Sequence, residues 1–219
     1  MDEKIIYTEG SDGNIASESR DQRGIYLNPG AEGFLETIRS DIYIDKTLLL
    51  KYTNSVIETK QKYICFSRPR RFGKTTTAEM LSAYYDRSVD AREVFDRCKI
   101  YADDSFELYR NRYDVIMLNM QDFLSRADNI YDMLRALTEE VSEELLAAHS
   151  NVNPHEEKSL SRICYDIHRE TGDKFVVIID EWDCIFRVWK SDADAQEKYL
   201  DFLREWLKDK KYIALAYMT

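Results

Sequence analysis

Four short apolar runs punctuate the chain: Tyr63-Ile64-Cys65-Phe66, Val115-Ile116-Met117-Leu118, Phe175 to Ile179, and Tyr212 to Met218. None alternates with polar residues as a half-exposed strand would, so each reads as a strand buried on both faces. Between them apolar positions recur at helical spacing. Thr75 to about Tyr85 places Met80, Leu81, Tyr84 and Tyr85 on one face, and residues 127–148 do the same with Ile130, Met133, Leu134, Leu137, Val141 and Leu145. Asn151-Val152-Asn153-Pro154 breaks that helix, and another runs over roughly Glu157–Glu170 to Thr171-Gly172, where glycine suits a C-terminal cap. Ala195–Lys208 is helical. Upstream, Phe34, Ile38, Ile42 and Ile44 indicate a short helix or turn, followed by a helix starting near Asp45. Strands without alternation, separated by helices, predict an α/β fold with a parallel sheet covered on both faces. Residues 1–24 are polar and rich in Gly, Ser, Asp and Glu, and read as a disordered N-terminal segment. Residues 25–219 read as one domain. Its last strand reaches the end of the sequence, so we expect the domain to continue beyond the fourth core strand.

Composition narrows the chemistry only slightly. The 219 residues are 44% apolar, with 15 Tyr and 9 Phe, enough for a sizeable core. A formal net charge of −10, from 41 acidic and 31 basic residues, argues against general nucleic-acid binding, which depends on neutralising phosphates. Cys65, Cys98, Cys164 and Cys184 contain no C-x-x-C pair, and Cys65 and Cys184 lie in or beside apolar runs that read as buried strands. Cys164 and His168 could share a helix face, but no further ligand pair lies near them. Free thiols, no signal peptide and no apolar run near 18 residues lead us to expect a soluble, cytoplasmic protein with no membrane partner. His149, His155 and His168 lack a nucleophile–carboxylate pattern and read as non-catalytic.

Two motifs carry chemistry. Arg68-Pro69-Arg70-Arg71-Phe72-Gly73-Lys74-Thr75 follows the first strand and opens a helix, the context required of a phosphate-binding loop G-x-x-x-x-G-K-[ST]. Gly73 allows the tight turn, Lys74 brings a charge to the β- and γ-phosphates, and the Thr75 hydroxyl can coordinate Mg²⁺, with Thr76 next in the helix. Arg68 stands where the pattern has its first glycine. The second motif is Phe175 to Ile179 followed by Asp180-Glu181, a buried strand that delivers two acids to its C-terminal tip. Asp180 is placed to hold Mg²⁺ and Glu181 to polarise the attacking water. Such tips are where ligands sit in open α/β sheets. Together the motifs indicate a P-loop NTPase with an extra strand between the two motif-bearing strands. The expected strand order is second, third, first, fourth, with the loop strand beside the Asp180 strand.

The chain resembles the predicted AAA-ATPase-like family of bacteria and archaea. Arg68 to Thr75 is similar to that family's R-P-R-R-F-G-K-T element, Tyr43-Ile44-Asp45-Lys46-Thr47 to its Y-V-D-K-T element, and Asp180-Glu181-Trp182-Asp183 to its D-E-Y-D element, with Trp182 for tyrosine. Tyr212–Thr219 resembles the strand before its T-G-I segment. The resemblance covers about residues 25–219 and implies that Arg68 belongs to a variant loop. Members often continue into a PD-(D/E)XK nuclease-like domain, of which this sequence carries no motif.

The implied activity is Mg²⁺-dependent ATP hydrolysis, with Lys74 and Glu181 catalytic, Thr75 and Asp180 holding metal, and Arg68, Arg70, Arg71, Phe72, Gly73, Lys74, Thr75 and Thr76 binding nucleotide. A nucleotide-gated signalling module with little turnover is the alternative, and a structural domain with a vestigial loop a third. A protein partner or C-terminal effector domain fits either of the first two, with nucleic acid reached only through such a domain. Arg68, Arg70 and Arg71 could each bind phosphate, pair with acids such as Asp45 or Asp183, or form a small nucleic-acid patch. Asp45 and Lys46 could close over the nucleotide, or Asp45 could cap the helix that follows. Asp183 could orient Glu181 or pair with a loop arginine. Thr219, at the tip of the last strand, stands where related folds sense the γ-phosphate.

Overall fold

The computed structural model describes residues 23–66, 73–155 and 159–219. Its elements run α1 (Glu32–Ile38), α2 (Leu48–Val56), β1 (Tyr63–Cys65), α3 (Lys74–Tyr85), α4 (Arg92–Phe95), a 3₁₀ turn (Lys99–Ala102), α5 (Phe106–Tyr109) and β2 (Asp114–Asn119). They continue with α6 (Met120–Ser125), α7 (Ile130–Ala148), α8 (Leu160–Thr171), β3 (Phe175–Asp180), α9 (Cys184–Val188), α10 (Ala193–Leu207) and β4 (Ile213–Met218). The four strands pair in parallel in the order β1-β4-β3-β2.

The sheet separates two apolar cores. On one face Ile116, Leu118, Phe175, Val177, Ile179, Ile213 and Ala216 pack against side chains of α6 to α10. On the other, Val115, Val176, Ile178, Leu215 and Tyr217 pack against α1 to α5. Neighbouring strand residues therefore face different cores, which is why the strands show no polar alternation. β4 departs from strict alternation at one point. Phe175 pairs with Ile213 and Val176 with Leu215, so Ala214 is an extra residue. Its carbonyl accepts instead from Glu58 N at 2.9 Å, outside the sheet.

The strand order along the chain bears out an extra strand between the two motif-bearing strands, but the order in the sheet corrects the expected one. β4 lies between β1 and β3, so the strand before the Gly73 turn is not beside the Asp180 strand. Periodicity says that a strand is buried but not which neighbour buries it. A second correction concerns β1, which is not buried: among the described residues it pairs with β4 alone, and Tyr63 and Cys65 are exposed. Cys184 lies just beyond β3, buried at the start of α9. The helix expected near Asp45 starts at Leu48, and Thr47 makes no side-chain cap. Asp45 Oδ1 instead accepts from Thr47 N at 2.8 Å and from Thr47 Oγ1 at 2.6 Å, bracing the turn ahead of the helix. Gly172 caps α8 with φ +79°, as expected.

Side-chain caps open α7 and α8 where the sequence predicts helices. Asn129 accepts from Tyr131 N and Asp132 N at the start of α7, and Ser159 from Arg162 N at the start of α8. Polar bonds also tie the α1–α5 layer together. Asn54, buried on α2, donates to Tyr84 Oη at 2.9 Å and accepts from Tyr85 Oη at 2.8 Å. Leu81, on the same turn of α3, is fully buried against the sheet. Leu81→Ala should therefore lower the unfolding free energy by about 2–5 kcal/mol, read by urea denaturation.

Candidate functional site

In a parallel sheet all C-terminal strand ends emerge on one side, and the candidate site forms there. Gly73 opens α3 with φ +70° and ψ 42°, a left-handed conformation open to glycine at little cost. A Cβ at this position would lie 2.7 Å from Lys46 Nζ, the mobile end of a long side chain that would have to move aside. The Gly73 carbonyl accepts from Thr77 N at 3.1 Å and Thr77 Oγ1 at 2.8 Å, closing the first helical turn. Lys74 and Thr75 begin the helix, whose free N–H groups and dipole favour an anion.

The Thr75 hydroxyl donates to Asp180 Oδ2 at 2.7 Å. This bond joins the start of α3 to the tip of β3 across the intervening β4. Asp180 is nearly fully buried, and its other oxygen accepts from Glu181 N at 2.9 Å. Glu181 has φ +53°, a conformation that costs a non-glycine residue roughly 1–2 kcal/mol and turns the chain sharply off the strand. Two bonds fasten this turn to β4: Thr219 N donates to the Ile179 carbonyl at 2.9 Å, and Trp182 N to the Thr219 carbonyl at 3.2 Å. Thr219 is buried, and its hydroxyl has no hydrogen-bond partner among the described residues. The Glu181 carboxylate pairs with the Arg187 guanidinium, which also lies 3.3 Å from Asp183.

Burial raises the pKa of Glu79, one turn after Thr75 on α3, and the charges of Asp180 and Glu36 raise it further. Asp45 shows the opposite balance. Burial pushes its carboxyl up, but hydrogen bonds from Thr47 and Lys99 outweigh that and hold it below its ordinary range.

The predicted site residues therefore divide. Gly73, Lys74, Thr75 and Thr76 lie at the start of α3, and the structure brings Thr75, Asp180 and Glu181 together with Thr219. Arg68, Arg70, Arg71 and Phe72 fall outside the described residues. Asp183 pairs with Arg187, not with a described loop residue. Arg187 and Glu79 escaped the sequence reading. Neither belongs to a spaced motif, although the i, i+4 relation of Thr75 and Glu79 on a predicted helix was available as a signal.

At the opposite end of the sheet Asp114, His149 and Asp173 bring ligand atoms within 4.8 Å of one another. Arg87 pairs with Asp114 at 3.4 Å and with Asp173 at 2.9 Å, already supplying the cation that such a cluster needs. The described cysteines are all unpaired. Burial pushes the Cys98 and Cys184 thiols up to about 11 and Cys164 to about 12, so these three stay protonated near neutral pH. Among the described residues no helix is long and apolar enough to cross a membrane.

The architecture is that of an α/β protein whose parallel strands gather a glycine turn, a helix N-terminus and two acids at one edge. A family model described as "Predicted AAA-ATPase" matches residues 30–218, and the chain belongs to that family. No curated protein matches the chain.

The raised pKa of Glu79 sets a pH test. Its ionised form is penalised in the folded state, and that cost is present above the folded pKa and absent below the unfolded one. Glu79→Gln should raise the melting temperature of the nucleotide-free protein at pH 7–8. The gain should disappear as the pH is lowered through the pKa of Glu79, followed by thermal melts across pH.

Proposed function

We propose that the protein is a P-loop NTPase that binds Mg²⁺-ATP and hydrolyses its β–γ bond. The bond between Thr75 and Asp180 carries this reading. Two oxygen donors from distant parts of the chain meet beside a helix N-terminus, a donor set suited to a hard divalent cation. Thr75 and Asp180 would hold Mg²⁺, which, when bound, neutralises charge on the phosphates. The Gly73 turn and the first N–H groups of α3 receive the phosphates, and Lys74 stabilises charge on the transferring phosphoryl group. Arg68, Arg70, Arg71, Phe72 and Thr76 complete the loop in this reading. Glu181 orients a water whose oxygen attacks the γ-phosphorus as the bond to the β–γ bridging oxygen breaks, releasing ADP and phosphate. The Thr219 hydroxyl, unpartnered among the described residues, would sense the γ-phosphate.

One observation favours the second reading, a nucleotide-gated module with little turnover. The Arg187 guanidinium holds Glu181 Oε2, so one of the two carboxylate oxygens is engaged by a cation and not by a water. Orienting a water then falls to Oε1 or needs the pair to open, whereas binding needs neither.

Two variants separate these readings. At a Mg²⁺-ATP concentration a hundredfold above its Kd, the wild-type protein should gain about 2.7 kcal/mol of stability, or roughly 5–10 °C in melting temperature. Lys74→Ala should weaken binding roughly tenfold to a hundredfold, the loss expected for a charged hydrogen-bond donor. Unchanged affinity and turnover in that variant would overturn the site. Glu181→Gln should keep affinity and lose phosphate release. If the wild-type protein binds Mg²⁺-ATP but releases phosphate no faster than Glu181→Gln, the gating reading holds.

A further inference from the structure

A cavity of about 280 Å³ lies between α3 and β2. Its lining follows from local periodicity. Glu79 and Ser82 are three residues apart and share a face of α3. Met117 shares with Val115 the face of β2 that meets the α1–α5 layer. The segment before α1 runs along the free edge of β2, where Asn28 N donates to the Val115 carbonyl at 2.7 Å and Met117 N to the Tyr26 carbonyl at 2.8 Å. Tyr26, Phe34 of α1 and the exposed Asp122 of α6 also line the cavity.

Two observations define what this cavity would take. The first is Ser82, which is 1% exposed and whose Oγ has no hydrogen-bond partner among the described residues. A buried hydroxyl is normally satisfied, in a helix often by the carbonyl four residues earlier. Ser82 lines the cavity instead, where a ligand N–H can satisfy it. The second is charge. The Glu79 carboxylate lies over Gly33, where a Cβ would come 2.9 Å from its Oε1. The charges acting on it, from Asp180 of β3 and Glu36 of α1, are both negative, and a hydrogen bond with Thr37 offsets them only in part. Among the described residues no lysine or arginine forms an ion pair with Glu79 or Asp122. A half-buried acid without a cation, an unsatisfied hydroxyl and apolar walls at Tyr26, Phe34 and Met117 complement a positive N–H donor on an apolar stem. An anion would meet both acids, and an uncharged apolar ligand would bury Glu79 further without a partner. The volume falls at the lower end of small-molecule cavities, about 300–1,000 Å³, and suits a ligand the size of one long side chain.

We propose that this cavity binds an ammonium or guanidinium group carried on a short aliphatic stem, held by Glu79, Asp122 and Ser82 Oγ. A free alkylamine and a lysine or arginine side chain of a partner protein present the same chemistry. This binding is independent of the nucleotide site proposed above. Because Glu79 follows Thr75 by one turn of α3, a bound cation also offsets the negative charge that Glu79 adds beside Asp180.

The test is calorimetric titration of the nucleotide-free 219-residue protein with n-butylguanidinium, and with n-butylurea as its uncharged counterpart. n-Butylguanidinium should bind saturably with a Kd of order 1 mM, and n-butylurea at least about tenfold more weakly. Glu79→Gln and Asp122→Asn should each weaken n-butylguanidinium binding about tenfold, and Ser82→Ala about threefold. Affinity should rise with pH through the titration of Glu79, whose charged neighbours are Asp180, Glu36 and Asp122. The cation binds the ionised carboxylate, so binding below that range should release protons, read from the dependence of the heat on buffer. No saturable binding up to about 20 mM, equal affinity for n-butylurea, or wild-type affinity in either carboxylate variant overturns the proposal. Melts of each variant check folding, and should Glu79→Gln not fold, the exposed Asp122 decides through Asp122→Asn. A capped pentapeptide with one central arginine separates the sources. Binding like that of n-butylguanidinium supports a partner's side chain, and n-butylguanidinium binding without peptide binding supports a free amine.

Discussion

β4 hydrogen-bonds on both sides, to β1 through Tyr63–Cys65 and to β3 through Phe175–Ile179, and so sets the spacing between the turn that opens α3 and the acids at the end of β3. A strand occupies about 4.8 Å in the hydrogen-bonding direction, so the insertion places β1 two strand spacings from β3. The Thr75 hydroxyl crosses that gap to reach Asp180 because it stands on a helix that packs on β3 and β2. The same insertion brings Thr219 between the two. Its backbone fastens the Asp180-Glu181 turn while its hydroxyl stays unpartnered. Remove β4 from the middle of the sheet, and the glycine turn, the acid pair and the threonine no longer share one site.

Conformational strain and charge are concentrated at this edge. Gly73 and Glu181 both have positive φ, one in a residue that tolerates it and one in a residue that does not. Glu181 is kept there by its own N–H on Asp180, by the bonds from Trp182 N and Cys184 N that close the turn, and by the Arg187 pair. Asp180 is buried beside Glu79, whose carboxyl is pushed up by burial and by that neighbouring charge. The edge thus gathers acids around Asp180 and the positive end of α3 at Lys74, the two signs that the proposed Mg²⁺-nucleotide ligand would use.

Most of the elements were legible because burial on both faces leaves a plain imprint. The runs at Val115–Leu118, Phe175–Ile179 and Tyr212–Met218 became β2, β3 and β4 with small changes at their ends, and the long helix over 127–148 became α7. The short helices α4, α5, α6 and α9 have too few turns to establish a period. β1 was misjudged for a related reason: three or four apolar residues look alike on an edge strand and on a central one. The bulge at Ala214 left no sign, since an apolar residue is acceptable to either core.

The sequence by itself determined the fold class, the family and the residues able to meet at the site. These depend on local patterns: unbroken apolar strands, G-K-T at the start of a helix, and an acid pair after a buried run. Tertiary structure alone decided the strand order, the Thr75–Asp180 contact, the engagement of Glu181 by Arg187 and the position of Lys46 against Gly73. The physical reason is that each is a meeting of segments far apart in the chain. Their partners are chosen by how two helical layers pack on one sheet, and no residue pattern within a single segment carries that choice.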